Sequence, residues 1–417
     1  MSLMSIVRRS LRQHALSSFV TILSVGLAAG LTMSVFAINT QTYDAFTGGR
    51  VGFDAVLGAR GSQLQLVLNT IFHLETSPGN IPWTLYKEIA DDPRVTLAIP
   101  YAVGDNYQGY RIVGTTTQLF TDFEYREGQG FVIKDGGRAF DPTKKEAVLG
   151  YYVAEKLGMT VGSTFQPYHG LQFNEREKHQ EEYTVVGIME PTNGPSDRVL
   201  WIPIEGIFNM QGHVLRGTGT VYRPTADEVV PEEHREVSAV MLKLRNPQAG
   251  FILNQTINQQ GKVATLAWPI GRVMAELFQR IGWVSRILTM VAYLIVVVAA
   301  GSILASIYNT MNERRREFAI LRALGARRGT VFSAIVLEST TITALGALVG
   351  FLVYAGILSA AYVIVRAQTG VVLDALRFDH ALWMTPIGMI LLGALAGLVP
   401  AFKAYRTDVA SNLTPLS

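Results

Sequence analysis

The 417-residue sequence predicts an α-helical membrane protein with four transmembrane helices. A large, two-lobed α/β domain is expected outside the membrane, between the first and second of them. Three observations predict this. Four uncharged apolar runs are each long enough to cross a bilayer. About 230 residues rich in strand and turn signals separate the first run from the second. The segment MNERRREFAILRALGARRG (311–329), between the second and third runs, packs six arginines and two glutamates into nineteen residues.

Composition agrees. The chain is 49% hydrophobic and 17% charged, against roughly 25% charged in soluble proteins. A net charge of +3 leaves no footprint for nucleic acid. There is no cysteine, which excludes disulfides and thiolate metal sites.

A spanning helix needs roughly 20 apolar residues, because a ~30 Å hydrocarbon layer is crossed at ~1.5 Å per residue. Residues 16–38, 287–308, 341–365 and 381–402 satisfy this, and the third helix is expected to begin near 330. The first run follows Arg8, Arg9 and Arg12, as a signal peptide would. Its apolar stretch exceeds the 7–15 residues of a signal core, so it reads as a retained anchor.

Arginine placement sets the orientation. The N-terminal segment 1–15, the cassette within 309–329 and the tail 403–417 share one arginine-rich side, the cytoplasm. The domain 41–270 and the short loop 366–380 are then external, which is periplasmic in a Gram-negative inner membrane. Gly26/Gly30, Gly346/Gly350 and Gly393/Gly397 each set two small residues on one helix face. Such faces suit a compact bundle or a dimer seam. No Asp, Glu, Lys or His sits at a membrane centre, so no ion or proton path is expected. Glu338, at the entry to the third span, reads as an interfacial carboxylate paired with an arginine of the cassette.

In the external domain, 94–103, 110–116, 182–190, 198–204 and 236–245 read as strands. Residues 81–92 and 150–158 read as helices, the second ending at Gly158, and 167–181 and 211–235 read as loops. In 61–82, Leu64, Leu68, Ile71 and Leu74 fall near one helical face, with Phe72 beside it. That face belongs either to the domain core or to an apolar surface that meets a substrate or partner. The seven histidines show no metal-ligand spacing, and those in the two loops read as solvated. With no metal site, no G-x-S-x-G and no P-loop, the chain is expected to be non-catalytic and to bind no cofactor of its own.

The cassette follows a stretch, 271–286, with helical apolar spacing, so the second span should extend outward as a stalk helix. Beyond the membrane, Phe318, Leu321 and Leu324 form an apolar strip, and Gly325 breaks the helix. Lipid headgroups would account for the arginines. A docking helix accounts for the strip and the break as well.

MNERRREFAILRALGARRGTVFSAIVLEST (311–340) resembles the signature of the FtsX-like, MacB-type permeases of ABC transporters, which include relatives of the LolC/LolE kind. EAVLGYYVAEKLGMTVGSTF (146–165) and YTVVGIMEPTNGPSDRVLWIPIE (183–205) are similar to the family's periplasmic core. VPAFKAYRTDVASNLT (399–414) is similar to its C-terminal pattern at Pro400, Ala401, Ala404, Asp408 and Leu413, and departs from it at Val409 and Thr414.

The resemblance implies a permease dimer, of two identical chains or of two paralogues. It implies that two copies of a cytoplasmic ATPase dock on Glu313, Arg314, Arg315, Arg316, Glu317, Arg322, Leu324, Gly325 and Ala326. ATP and Mg would be bound by that partner and not by this chain. A periplasmic adaptor and an outer-membrane component are further expected partners. The expected role is mechanotransmission for export or extraction of an amphipathic substrate. Lipoprotein release, or a signalling scaffold that activates a cell-wall hydrolase, are the alternatives.

Overall fold

A computed structural model describes residues 3–47, 52–126, 128–171, 173–210 and 230–406. Most of the loop expected at 211–235, with His213, and most of the tail 403–417 lie outside the described residues. The chain divides into two compact units. One holds the apolar helices, and the other holds residues 43–280 with 364–372.

Among the described residues, four helices are long and apolar enough to cross a membrane. They run Ala15–Thr47, Ile270–Glu313, Arg328–Thr369 and His380–Arg406. Each is longer than its apolar run, because polar turns continue the helix past the ends of the run. The second is 44 residues long, so the expected stalk and span are one unbroken helix.

Glycine lets these helices meet. A Cβ on Gly26 would lie 2.7 Å from Val349, and one on Gly350 would lie 2.8 Å from Ala29. Gly30 and Gly346 are as closely covered, by Val353 and Val25. The first and third spans therefore pack face to face on two glycine pairs. Gly393 and Gly397 lie against Thr343 and Ser339 of the third span. Close approach supplies the dispersion contact that binds helices where no hydrophobic drive exists. Buried hydroxyls within the helices are satisfied locally: Thr32 donates to the Ala28 carbonyl at 2.7 Å and Ser34 to that of Gly30 at 2.8 Å.

The other unit is built on a sheet with ten strands among the described residues. Its order is Ala264–Ala267, Ala55–Ala59, Ala239–Leu244, Val95–Tyr107, Tyr110–Thr115, Val199–Pro203, Glu146–Leu149, Tyr183–Ile188 and Thr164–Phe165. The tenth strand, Tyr168–His169, pairs with Val95–Tyr107. That 13-residue strand joins the two expected lobes: residues 95–101 pair with Ala239–Leu244 and residues 102–107 with Tyr110–Thr115.

Both sheet faces are covered, so the strands are apolar throughout rather than alternating. All five residues of Val199–Pro203 are buried. Leu200 and Ile202 enter one core with Val153, Ile204 and Leu253 of the covering helices. Val199 and Trp201 enter the opposite core with Leu66, Phe72 and Met274. Each such side chain contributes about 1.5–3 kcal/mol on burial. The helices expected at 81–92 and 150–158 form as Trp83–Ala90 and Tyr151–Leu157. Gly158, at φ 64°, ends the second, as a left-handed cap requires.

In this unit one open alternative falls to the core and one expectation is corrected. The helix in 61–82 covers only Gln63–Thr70, and its apolar side chains do not form an exposed face. Leu64 and Leu68 pack on the second core, while Ile71 and Phe72 are buried in it, Phe72 stacked on Phe46 at 4.6 Å. Only Leu74 stays exposed, because the helix has already ended. The loop 167–181 is also not simply solvated: His179 is buried against Asp105.

Candidate functional site

The site is the arginine-rich element between the second and third spans. The sequence reads it as a helix that continues from the span and breaks at Gly325. The structure adds a second break, at Arg314. The span ends at Glu313, a separate helix runs Arg315–Ala323, and the third span begins at Arg328.

The first break has an electrostatic cause. Arg314 leaves the helical conformation (φ −96°, ψ 9°) and is only 6% exposed. Its Nη1 donates to Ser10 Oγ at 2.6 Å and lies 3.2 Å from Glu338 Oε2. The Ser10 hydroxyl donates in turn to Glu338 Oε1. The Arg314 Nε reaches Glu317 Oε2 at 3.1 Å, and the guanidinium lies 4.9 Å from the Phe318 ring. Glu338, only 7% exposed, belongs to the third span, and Ser10 to an N-terminal helix, Leu3–Gln13.

Three helices thus meet on one buried ion pair. The carboxylate–arginine pairing is legible in the sequence, and the part of Ser10 is not, because 328 residues separate it from Glu338. The end of the N-terminal helix and the residue after it add two more contacts: Gln13 Nε2 donates to Glu317 Oε1 at 3.3 Å, and His14 Nδ1 lies 3.3 Å from Glu313 Oε2. Removing one partner of a buried pair strands the other charge and costs about 3–5 kcal/mol.

The second break is a Schellman cap. The Ala326 N–H donates to the Leu321 carbonyl and the Gly325 N–H to that of Arg322, both at 3.0 Å. Gly325 sits at φ +97°, where a side chain costs about 1–2 kcal/mol. The short helix turns Phe318 and Ala319 inward, whereas Leu324 is 80% exposed and Arg316 and Arg327 are also exposed. Leu324 therefore stands apart from the buried Phe318, with which its spacing places it on one strip. Arg315 opens the helix by its backbone. The result is an elbow with a charged outer surface on which Leu324 and Ile320 are exposed.

The cavity lined by Ile71 and Phe72 holds about 60 Å³, far below the ~300 Å³ at which ligand pockets begin. Sequence spacing misses one other cluster, where His169 and His179 meet Asp105, because the strand partner lies far back in the chain.

Comparison with known proteins bears on both units. Residues 18–251, more than half of the chain, match the family model for the MacB-like periplasmic core domain. Residues 289–409 match that for the FtsX-like permease C-terminal region. A macrolide export ATP-binding/permease protein MacB of Bordetella avium (strain 197N) is 22% identical over 236 residues, covering 55% of this chain and 33% of that protein. The chain thus matches about a third of that relative's length.

Among solved structures, the periplasmic region of MacB from Actinobacillus actinomycetemcomitans aligns at 12% identity and TM-score 0.33, covering 58% of this chain and 98% of that one. The extracellular domain of the noncanonic ABC-type transporter YknZ from Gram-positive bacteria aligns at 14% identity and TM-score 0.28, covering 51% and 97%. With four membrane-type helices, an outer α/β domain and both family matches in chain order, the protein belongs to the FtsX-like, MacB-type family of ABC-transporter permeases.

Proposed function

We propose that this chain is the permease subunit of a mechanotransmission ABC transporter. A separate cytoplasmic ATPase docks on the elbow 313–326, and the permease itself is non-catalytic. ATP and Mg belong to the ATPase, which is present in two copies on a permease dimer. The elbow, both termini and the ATPase lie in the cytoplasm, and the α/β domain lies in the periplasm.

One observation carries this reading. The helix Ile270–Glu313 is about 66 Å long at 1.5 Å per residue, twice what a bilayer needs, and it ends at the locked Arg314. Such a rod transmits displacement rather than bending it away. ATP then shifts the balance between two arrangements of the outer domain, by as much as its binding differs between them. The substrate class this suits is a periplasmic or outer-leaflet amphiphile, handed to a periplasmic adaptor and an outer-membrane component. Lipoprotein release is the second reading within the same mechanism.

The test uses the cysteine-free background. In spheroplasts, a cysteine at the exposed Val161 should react with an impermeant maleimide. One at Arg327 should react only after permeabilisation, and co-expressed ATPase should protect it. Replacing Arg322 and Leu324 by alanine should abolish both the protection and ATPase co-purification. Unchanged protection in that variant would refute docking at the elbow, and a reversed labelling pattern would refute the orientation.

A further inference from the structure

Asp105, His169 and His179 converge in the outer unit, and each contributes one donor atom to a cluster whose members lie within 4.8 Å of one another. Asp105 is fully buried on the long strand Val95–Tyr107. His169 is its direct register partner on the neighbouring strand. His179 returns from the far arm of the same loop, whose two arms are held by the bridge Tyr168↔Lys178 and by the His179 N–H to Pro167 carbonyl bond at 2.9 Å.

The His179 Nε2 lies 3.3 Å from Asp105 Oδ1, and the His169 Nδ1 lies 3.4 Å from that same oxygen. Zinc bound tetrahedrally at about 2.0–2.1 Å spaces its donors roughly 3.3–3.4 Å apart, so these two separations match those a metal would impose, and the third pair lies within 4.8 Å. The backbone around the cluster is fixed independently: the buried Asn106 amide donates to the Gly170 carbonyl at 2.8 Å, and Gly109 N–H donates back to Asn106 at 3.1 Å. The His169 side chain is about half exposed, which leaves a route for an ion and room for a water as fourth ligand.

We propose that Asp105, His169 and His179 form a divalent transition-metal site, with Zn²⁺ as its ion. Two imidazoles and one carboxylate are a ligand set that suits zinc among the available divalent ions. The ion fastens the loop 166–181 to the central strand, and so sets the shape of that edge of the outer domain. A site of this kind stabilises the fold by mass action when the ion binds the native state alone.

The full-length protein, stripped with EDTA in detergent, is dialysed against Zn²⁺. The expected result is one saturable ion per chain. Trypsin cleavage at the exposed Arg176 and Lys178 should slow when zinc is bound. X-ray absorption should count two imidazoles. His169→Ala, at the half-exposed position, should weaken binding at least about tenfold, while His234→Ala leaves it unchanged. Should His169→Ala fail to fold, the Co²⁺ ligand-field spectrum and imidazole count of the unmutated protein decide the matter. No saturable binding, or binding that survives loss of His169 and of His179, would overturn the proposal and leave a hydrogen-bonded Asp–His cluster.

Discussion

His73 shows how one side chain can tie the outer domain's stability to pH. It is held at φ 54°, edge-on to Trp201 at 6.1 Å, with its Nδ1 buried. Desolvation, helped by the positive Arg111 and Arg198, lowers its pKa from 6.5 to about 3. Between those values the unfolded chain binds a proton that the fold refuses, so stability rises with pH through this window and is lost as pH falls below about 6.5. From pH 7 to pH 5 the loss amounts to about 1–2 kcal/mol. His73→Asn, which keeps the left-handed backbone accessible, should flatten that slope in denaturant titrations followed by tryptophan fluorescence. An unchanged slope would show that His73 is not its source. No sequence pattern marks this histidine as different from the other six, because its pKa comes from the fold around it.

At the scale of elements, the elbow depends on what holds its two ends. Gly325 and the arginine-dense run are visible in the sequence because left-handed caps and charge clusters are local properties. The break at Arg314 is not, since local propensity favours continuing the helix, whereas Glu338 and Ser10, from other helices, hold the guanidinium. Arg314→Ala should therefore destabilise the helical unit by about 3–5 kcal/mol in SDS unfolding titrations. Arg314→Met with Glu338→Leu should restore most of that stability, because neither charge is then stranded. A loss below about 1 kcal/mol for the single change would mean that the pair does not organise the junction. The same contrast of local and long-range cause explains the helix near Leu64. Its periodicity is legible, but whether it faces the core or the solvent depends on a sheet assembled from residues far away in the chain.

For the whole molecule, the spans, their order and the α/β class are legible because they follow from run length and composition. The strands Tyr110–Thr115, Tyr183–Ile188 and Val199–Pro203 fall within one or two residues of where β-branched residues place them. The pairing of Val199–Pro203 with Tyr110–Thr115, and the meeting of Asp105 with His169 and His179, join residues far apart in the chain, to which spacing is blind. In the proposed function, the elbow and the long helix act as one lever.

The most direct measurement places spin labels at Val161 of both copies of the reconstituted permease and records their separation by pulsed dipolar spectroscopy. With the ATPase present, trapping ATP should shift the distance distribution. Arg314→Met with Glu338→Leu, still folded, should lose that shift. A distribution that ATP leaves unchanged in the unaltered complex, or that moves equally with the ATPase absent, would contradict transmission through the elbow.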